Sequence, residues 1–294
     1  MAFINRVKIY FGLMRYQQWI KNCFVFAALI FSRKFLNLWA IEQSFIAFIV
    51  FCGLASAVYI FNDLNDLEAD KNHPHKKNRA LASGAISVRS ARLLLFVLLV
   101  VTGTVINLAL NRAFAIVAIT YLLLNVFFTL WIKRIVLLDV MAIATNYVLR
   151  VVAGTVVINA PITPWLIILS TLLALFLALG KRRHELLLLG DGAFYHRSIL
   201  KEYSIYFIDQ LIGIVTTATV VVYSFYTMDP GIQALLGTAW LPLTIPFVLF
   251  GIFRYLYLVH QKKEGGNPTA AFLADRPLLI NALLWLLILF FLIR

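Results

Sequence analysis

With 294 residues, 62% of them hydrophobic and only 13% charged, this chain is too apolar for a soluble protein of its size, and lipid is the natural solvent for most of its surface. Its net charge of +13 does not mark a nucleic-acid binder, because the basic residues fall in short loops between apolar spans. Membrane topology and anionic substrates account for that placement. Cys23 and Cys52 lie in or beside apolar spans and make no disulfide framework, and no short cleavable leader is expected, since the first apolar run begins only after Lys21.

A window of about 20 residues predicts an all-α, polytopic membrane protein, a single integral membrane domain over 1–294 with about nine spans. They fall near 22–42, 44–62, 92–110, 114–132, 138–158, 164–181, 206–228, 239–258 and 276–294, the first interrupted by Ser32, Arg33 and Lys34. One side of this arrangement carries 21 of the Lys and Arg residues and the other four, with Arg150 left inside a span. That imbalance predicts a cytoplasmic basic side, N-terminus in and C-terminus out. The long connections, about 63–91, 182–205 and 259–275, all fall on the basic side, so chemistry is expected there.

Near the N-terminus, Arg15-Tyr16-Gln17-Gln18-Trp19-Ile20-Lys21-Asn22 reads as an interfacial belt anchor, with Lys21 also a candidate phosphate ligand. The second span ends in Asn62-Asp63-Leu64-Asn65-Asp66-Leu67-Glu68-Ala69-Asp70. If its helix runs on, Asp63, Asp66 and Asp70 share one face at i, i+3 and i+7. So much negative charge at a membrane edge calls for something positive. An oxygen-only ligand set, Asn62, Asp63, Asp66 and Asp70, suits a hard cation, foremost Mg2+ carrying a substrate's phosphates.

The run continues into Lys71-Asn72-His73-Pro74-His75-Lys76-Lys77-Asn78-Arg79, whose cations, Lys77 and Arg79 among them, suit the remaining phosphate oxygens. A solvated loop that merely sets topology explains those cations but not the aligned aspartates. His73 and His75 read as loop histidines rather than as transition-metal ligands.

At the next basic-side boundary Lys133 and Arg134 precede Asp139, and Asp139, Asn146 and Arg150 form a polar stripe on an apolar helix. Asp139 and Arg150 lie about 16 Å apart along the axis, too far to pair directly. Arg150 is a functional candidate because it is an intramembrane charge, with pairing to carbonyls or another helix as the structural reading. Gly180-Lys181-Arg182-Arg183-His184-Glu185 closes another span. Lys181 and Glu185 share a helix face, while Arg182 and Arg183 serve equally well as anchors. No nucleophile–base arrangement, P-loop or GxGxxG is present.

Asn62-Asp63-x-x-Asp66-x-x-x-Asp70 at the end of a second span resembles the first aspartate-rich motif of the UbiA-type prenyltransferase superfamily. Within it the chain is most similar to the decaprenyl-phosphate phosphoribosyltransferase branch. That similarity is carried nearly end to end by Gln18-Trp19-Ile20-Lys21-Asn22, Asp70-x-x-His73-Pro74-x-Lys76-x-x-Arg79 and Leu137-Leu138-Asp139-Val140. Further matches are Leu149-Arg150-Val151-Val152-Ala153-Gly154, Leu179-Gly180-Lys181-Arg182-Arg183-His184-Glu185, Asn267-Pro268-Thr269 and Asp275-Arg276-Pro277-Leu278.

The resemblance implies about nine helices around a cavity open to the membrane, and transfer of phosphoribosyl from phosphoribosyl pyrophosphate to a polyprenyl phosphate. It implies Mg2+ on the first motif and substrate contacts from Lys21, Asn62, Lys77, Arg79, Lys133, Asp139, Arg150, Lys181, Arg182 and Glu185. The chain departs from the pattern in two places. Ala80 stands where a Pro usually follows Arg79, and Asp139 has Ile143, not an acid, four residues on, so a second metal site of the usual design is not expected. Prenyl transfer to an aromatic acceptor would call for that second acidic motif. A transporter or flippase would leave the acidic run unexplained.

Overall fold

The computed structural model describes residues 2–72, 76–189, 198–262, 266 and 268–293, and no strand occurs among them. Among the described residues, eight helices are long and apolar enough to cross a membrane. In chain order the elements are α1 (Ala2–Leu13), a 3-10 segment (Tyr16–Phe26), α2 (Ala27–Phe31), α3 (Leu38–Asn65), α4 (Leu67–Lys71), α5 (Val88–Ala109), α6 (Arg112–Leu130) and α7 (Leu138–Val157). Then come α8 (Pro164–Leu189), α9 (Ile205–Met228), α10 (Pro230–Leu236), α11 (Ile245–His260), α12 (Pro268–Ala274) and α13 (Arg276–Ile293).

The span expected at 22–42 is not one long helix. The 3-10 segment and α2 occupy its first part, and the chain then turns through Arg33, at φ 56°, and restarts at Leu38, where the Asn37 side chain accepts from the Ala40 N–H. Polar Ser32, Arg33 and Lys34 stop the helix there, and the Lys34 ammonium donates to the carbonyls of Ile158 and Asn159 at 2.8 and 3.1 Å. The other eight expected spans correspond to long helices.

Two apolar cores meet at α7. One, around Phe51, Phe114 and Tyr121, joins α2, α3, α6 and α7. The second, around Phe176, Ile208, Ile212 and Tyr255, joins α7 to α8, α9 and α11. Helix α5 buries only Ala91 and Thr102 and turns Leu93, Phe96 and Leu108 outward, as a helix solvated by lipid does. Against the second core lies an apolar chamber of about 350 Å³, with Phe24, Val151, Phe176, Tyr223, Tyr255 and Trp285 in its wall.

The 3-10 segment is wedged between α3 and α7, and its 11 residues form an unusually long run of that geometry. Contacts on both sides hold it. The Trp19 indole donates to Ser56 Oγ at 3.0 Å, the Asn22 amide to Cys52 Sγ at 3.3 Å, and the Phe24 ring packs edge-on against Tyr147. Gly154 makes the approach to α7 possible, since a Cβ there would collide with the Val25 carbonyl. Gly154→Ala is therefore expected to destabilise the protein by about 2–3 kcal/mol through forced separation of the 3-10 segment from α7. Thermal unfolding in detergent reads the loss, and an unchanged midpoint would contradict this packing.

Candidate active site

Helix α3 delivers the acidic run to the basic end of the bundle. The helix ends at Asn65, Asp66 is its cap, and α4 resumes at once, with the Asp70 N–H donating to the Asp66 carbonyl at 2.8 Å. Asp63 and Asp70 are buried and face one cation. A single Arg79 guanidinium nitrogen donates to Asp63 Oδ1 at 3.0 Å and to Asp70 Oδ2 at 2.6 Å. Arg15 adds a 2.5 Å contact to Asp63 Oδ1 from a left-handed backbone position (φ 51°), and Lys76 lies 3.8 Å from Asp70. Asp66 is engaged by Lys133 instead, at 2.8 and 3.0 Å, and the Thr129 hydroxyl donates to Asn62 Oδ1.

The break at Asp66 thus splits the expected common face. Asp63 and Asp70 share one site and Asp66 borders it. Among the described residues no three His, Cys, Asp or Glu side chains are grouped as metal ligands. The donor set nevertheless fits a hard cation, because two buried carboxylates already converge on one positive charge, and Asp63, Asp70 and the bordering Asp66 and Asn62 would hold such an ion through oxygen alone.

A second group forms where α7 and α8 meet. Arg182 is buried and donates to Asp139 Oδ2 and Glu185 Oε2, both at 2.5 Å. The Tyr203 hydroxyl donates to Asp139 Oδ1 at 2.8 Å and accepts from the Leu137 N–H at 2.7 Å. Burial, with the Asp139 carboxylate adding to it, pushes that hydroxyl's pKa up to about 12. Lys181 lies 4.0 Å from Glu185 on the same helix. Arg183 is a structural tie, bonded to Asp209 on α9 and to the Val259 carbonyl on α11.

Between the two groups sits Lys21. Its pKa is pushed down to about 7, first by burial and then by the positive charges of Lys181, Arg150 and Arg15. Cations from three separate elements thus come close enough to repel one another, a concentration of positive charge that suits an anion.

Arg150 does not reach Asp139, as its helical separation requires. Its Nε donates to Asn22 Oδ1 at 2.7 Å, one terminal nitrogen to the Asn146 carbonyl at 2.6 Å and the other to the Tyr121 hydroxyl at 3.0 Å. The rings of Tyr121, Tyr147 and Phe51 flank it. The bond to Asn22 ties α7 to the 3-10 segment that carries Lys21.

Lys77 is exposed on the short 3-10 turn Lys76–Asn78, and its neighbour Lys76 faces Asp70 instead. Sequence reasoning missed Arg15, treated as an anchor, and Tyr203. Their partners stand 48 and 64 positions away, and no local pattern marks them. His73 and His75, with Arg197, Lys263, Asn267 and Arg294, lie outside the described residues.

The UbiA prenyltransferase family model matches residues 23–274. A decaprenyl-phosphate phosphoribosyltransferase from Mycolicibacterium smegmatis is 31% identical over 93% of this chain and 88% of its own. An uncharacterized protein from Sinorhizobium fredii is 39% identical over 61% of this chain, a region that covers about a third (34%) of that longer relative. Among solved structures, a UbiA homolog from Archaeoglobus fulgidus bound to GPP and Mg2+ superposes with a TM-score of 0.71 at 17% identity, covering 97% of this chain and 99% of that one.

Proposed function

We propose, for a chain that belongs to the UbiA prenyltransferase family, that it transfers 5-phosphoribosyl from phosphoribosyl pyrophosphate to a polyprenyl phosphate and releases pyrophosphate. With eight apolar helices and this family, it is an integral membrane transferase. Its setting in this reading is a bacterial plasma membrane, with the basic end in the cytoplasm, where the soluble donor is found. The observation that carries the reading is the convergence of Arg15, Lys21, Arg150 and Lys181 beside an acidic run, on elements whose nearby residues, Phe24 and Val151, line an apolar chamber. A donor with a diphosphate and a further phosphate, and a lipid ending in a phosphate, together use all three parts.

Asn62, Asp63, Asp66 and Asp70 would hold Mg2+ against the donor's diphosphate, where it stabilises the charge of the leaving group. Arg79 and Lys133, now bonded to those carboxylates, are placed to turn to the phosphate oxygens. Lys21 and Lys181 take the remaining phosphates, and Arg182 with Asp139 and Glu185 fixes the α8 end from which Lys181 projects. Arg150 acts through Lys21, as a positioning residue. The lipid phosphate oxygen forms the new bond to ribose C1 from the face opposite the departing pyrophosphate. The C1–O bond breaks with its electron pair going to pyrophosphate, so the configuration at C1 inverts. The attacking oxygen is already an anion and needs no general base. Orientation and charge stabilisation do most of the work.

Purified protein with Mg2+, phosphoribosyl pyrophosphate and a polyprenyl phosphate is expected to yield lipid-linked phosphoribose and pyrophosphate in equal amounts. Absence of both products, with transfer of label from a prenyl diphosphate to an aromatic acceptor, would replace this reading with prenyl transfer.

Lys21 gives the reaction a pH signature. A bound anion favours the charged ammonium, so donor binding takes up a proton wherever the ligand-free side chain is neutral, above about pH 7. The KM for phosphoribosyl pyrophosphate is expected to rise with pH from about 7 upward, by at most about tenfold per unit, and to level off below 7. Lys21→Arg should flatten that rise, which steady-state kinetics from pH 6 to 9 will read. By the same linkage the ligand-free protein gains stability as pH climbs from about 7 towards the ordinary lysine value, because there the unfolded chain holds the proton that the folded one has lost.

A further inference from the structure

Tyr255, on α11, is 4% exposed and its ring forms part of the chamber wall, packed edge-on against Phe176 at 5.0 Å. Its hydroxyl is buried and has no hydrogen-bond partner among the described residues. A buried hydroxyl left unpaired is destabilising, and phenylalanine would complete the same wall without it. The position of that hydroxyl is what makes it informative. A methyl group on Gly180 would lie 3.6 Å from it, so it rests against the residue that precedes Lys181. Phe24, on the 3-10 segment, is likewise both a wall residue and three positions from Lys21. Here the apolar wall and the cation group share a boundary.

We infer that the Tyr255 hydroxyl is a headgroup-binding donor for the lipid substrate. It gives its hydrogen bond to a non-bridging oxygen of the phosphate monoester at the end of a chain lying in the chamber. The inference rests on the reaction proposed above and adds to it a residue that discriminates between the two phosphate-bearing substrates. A lipid whose chain fills the chamber has its phosphate at this boundary, within reach of the unpaired hydroxyl and of Lys21 and Lys181. The soluble donor, held by the acidic run and Arg79, meets the cations from the other side. Among the described residues the chamber's other unpartnered hydroxyl, on Tyr226, sits beside Phe31 near the far end of α9, so the hydroxyl next to the Lys181 end of α8 is that of Tyr255.

The test is Tyr255→Phe, which removes one oxygen and keeps the ring. The variant should fold, with a thermal midpoint at or above that of the parent protein. Its KM for farnesyl phosphate should be raised about tenfold while its KM for phosphoribosyl pyrophosphate stays within about twofold. Equal KM values for farnesyl phosphate in the two proteins, or a rise for the donor instead, would overturn the assignment. Binding measured by calorimetry keeps this result separate from the fate of the reaction itself. If the parent protein transfers no phosphoribosyl, the proposed reaction fails. The assignment then stands on farnesyl phosphate binding about tenfold more weakly to the variant while farnesol binds both proteins equally. Equal binding of farnesyl phosphate, or equal weakening for both ligands, would overturn it.

Discussion

Asp63→Asn is expected to lower kcat by about 10²–10³-fold at saturating substrates, and to raise the Mg2+ concentration needed for half-maximal rate. The side chain keeps its shape and loses its charge, so the effect isolates electrostatics from packing. Asp63 is the member of the acidic run with the most to lose. It is buried at 4% exposure, and it is the carboxylate on which both Arg15 and Arg79 converge. Asp66, more exposed and held by Lys133 and the neighbouring Asn65 amide, should show a smaller effect when changed in the same way. Steady-state assays across a Mg2+ titration will measure both. Turnover of Asp63→Asn within about threefold of the parent would remove the metal-binding role assigned to the run.

Arg182→Met should be the most destabilising of the substitutions considered, by about 3–5 kcal/mol. Arg182 is the cation bonded to Asp139, which is completely buried, and it also holds Glu185. Without it two carboxylates remain at the junction of α7 and α8, and Tyr203 offers Asp139 only a neutral hydrogen bond. Adding Asp139→Asn to Arg182→Met should recover a large part of the loss, since the charge left without a partner is then gone. Chemical unfolding in detergent, over the four proteins of this cycle, reads the coupling. A double variant no more stable than Arg182→Met alone would show that Asp139 and Arg182 do not act as a pair.

The long helices, and the basic end to which the acidic run belongs, are legible in the sequence because lipid imposes a simple rule. A segment of about 20 apolar residues must satisfy its own backbone, and a helix does so. The 16–26 segment escapes that rule because its conformation is decided from outside. Gly154 and Arg150 on α7, and Ser56 and Cys52 on α3, hold it in 3-10 form, and nothing local specifies that geometry. The site shows the same division. That Arg150 and Asp139 are exceptional follows from charge placed in an apolar helix. That Arg150 meets Asn22 and Tyr121, and Asp139 meets Arg182 and Tyr203, follows only from the packing of elements distant in sequence. The spacing of Asp63, Asp66 and Asp70 predicts one helical face, but the helix breaks after Asn65, and Asp66 bonds to Lys133 and not to the Arg79 that joins the other two.

The acidic run described above is already neutralised, carboxylate by carboxylate: Asp63 by Arg15 and Arg79, Asp66 by Lys133, Glu68 by Lys71 and Asp70 by Arg79. Loading such a site is an exchange of partners, not the filling of a vacancy. A divalent ion arriving alone would strand the guanidinium and ammonium groups it displaces, and a naked diphosphate would strand the carboxylates. A metal–diphosphate complex brings both signs together, so each displaced group finds a new partner in the same event. Under the proposed reaction the ligand-free ion pairs would therefore act as a coincidence detector, favouring the assembled donor over either of its halves.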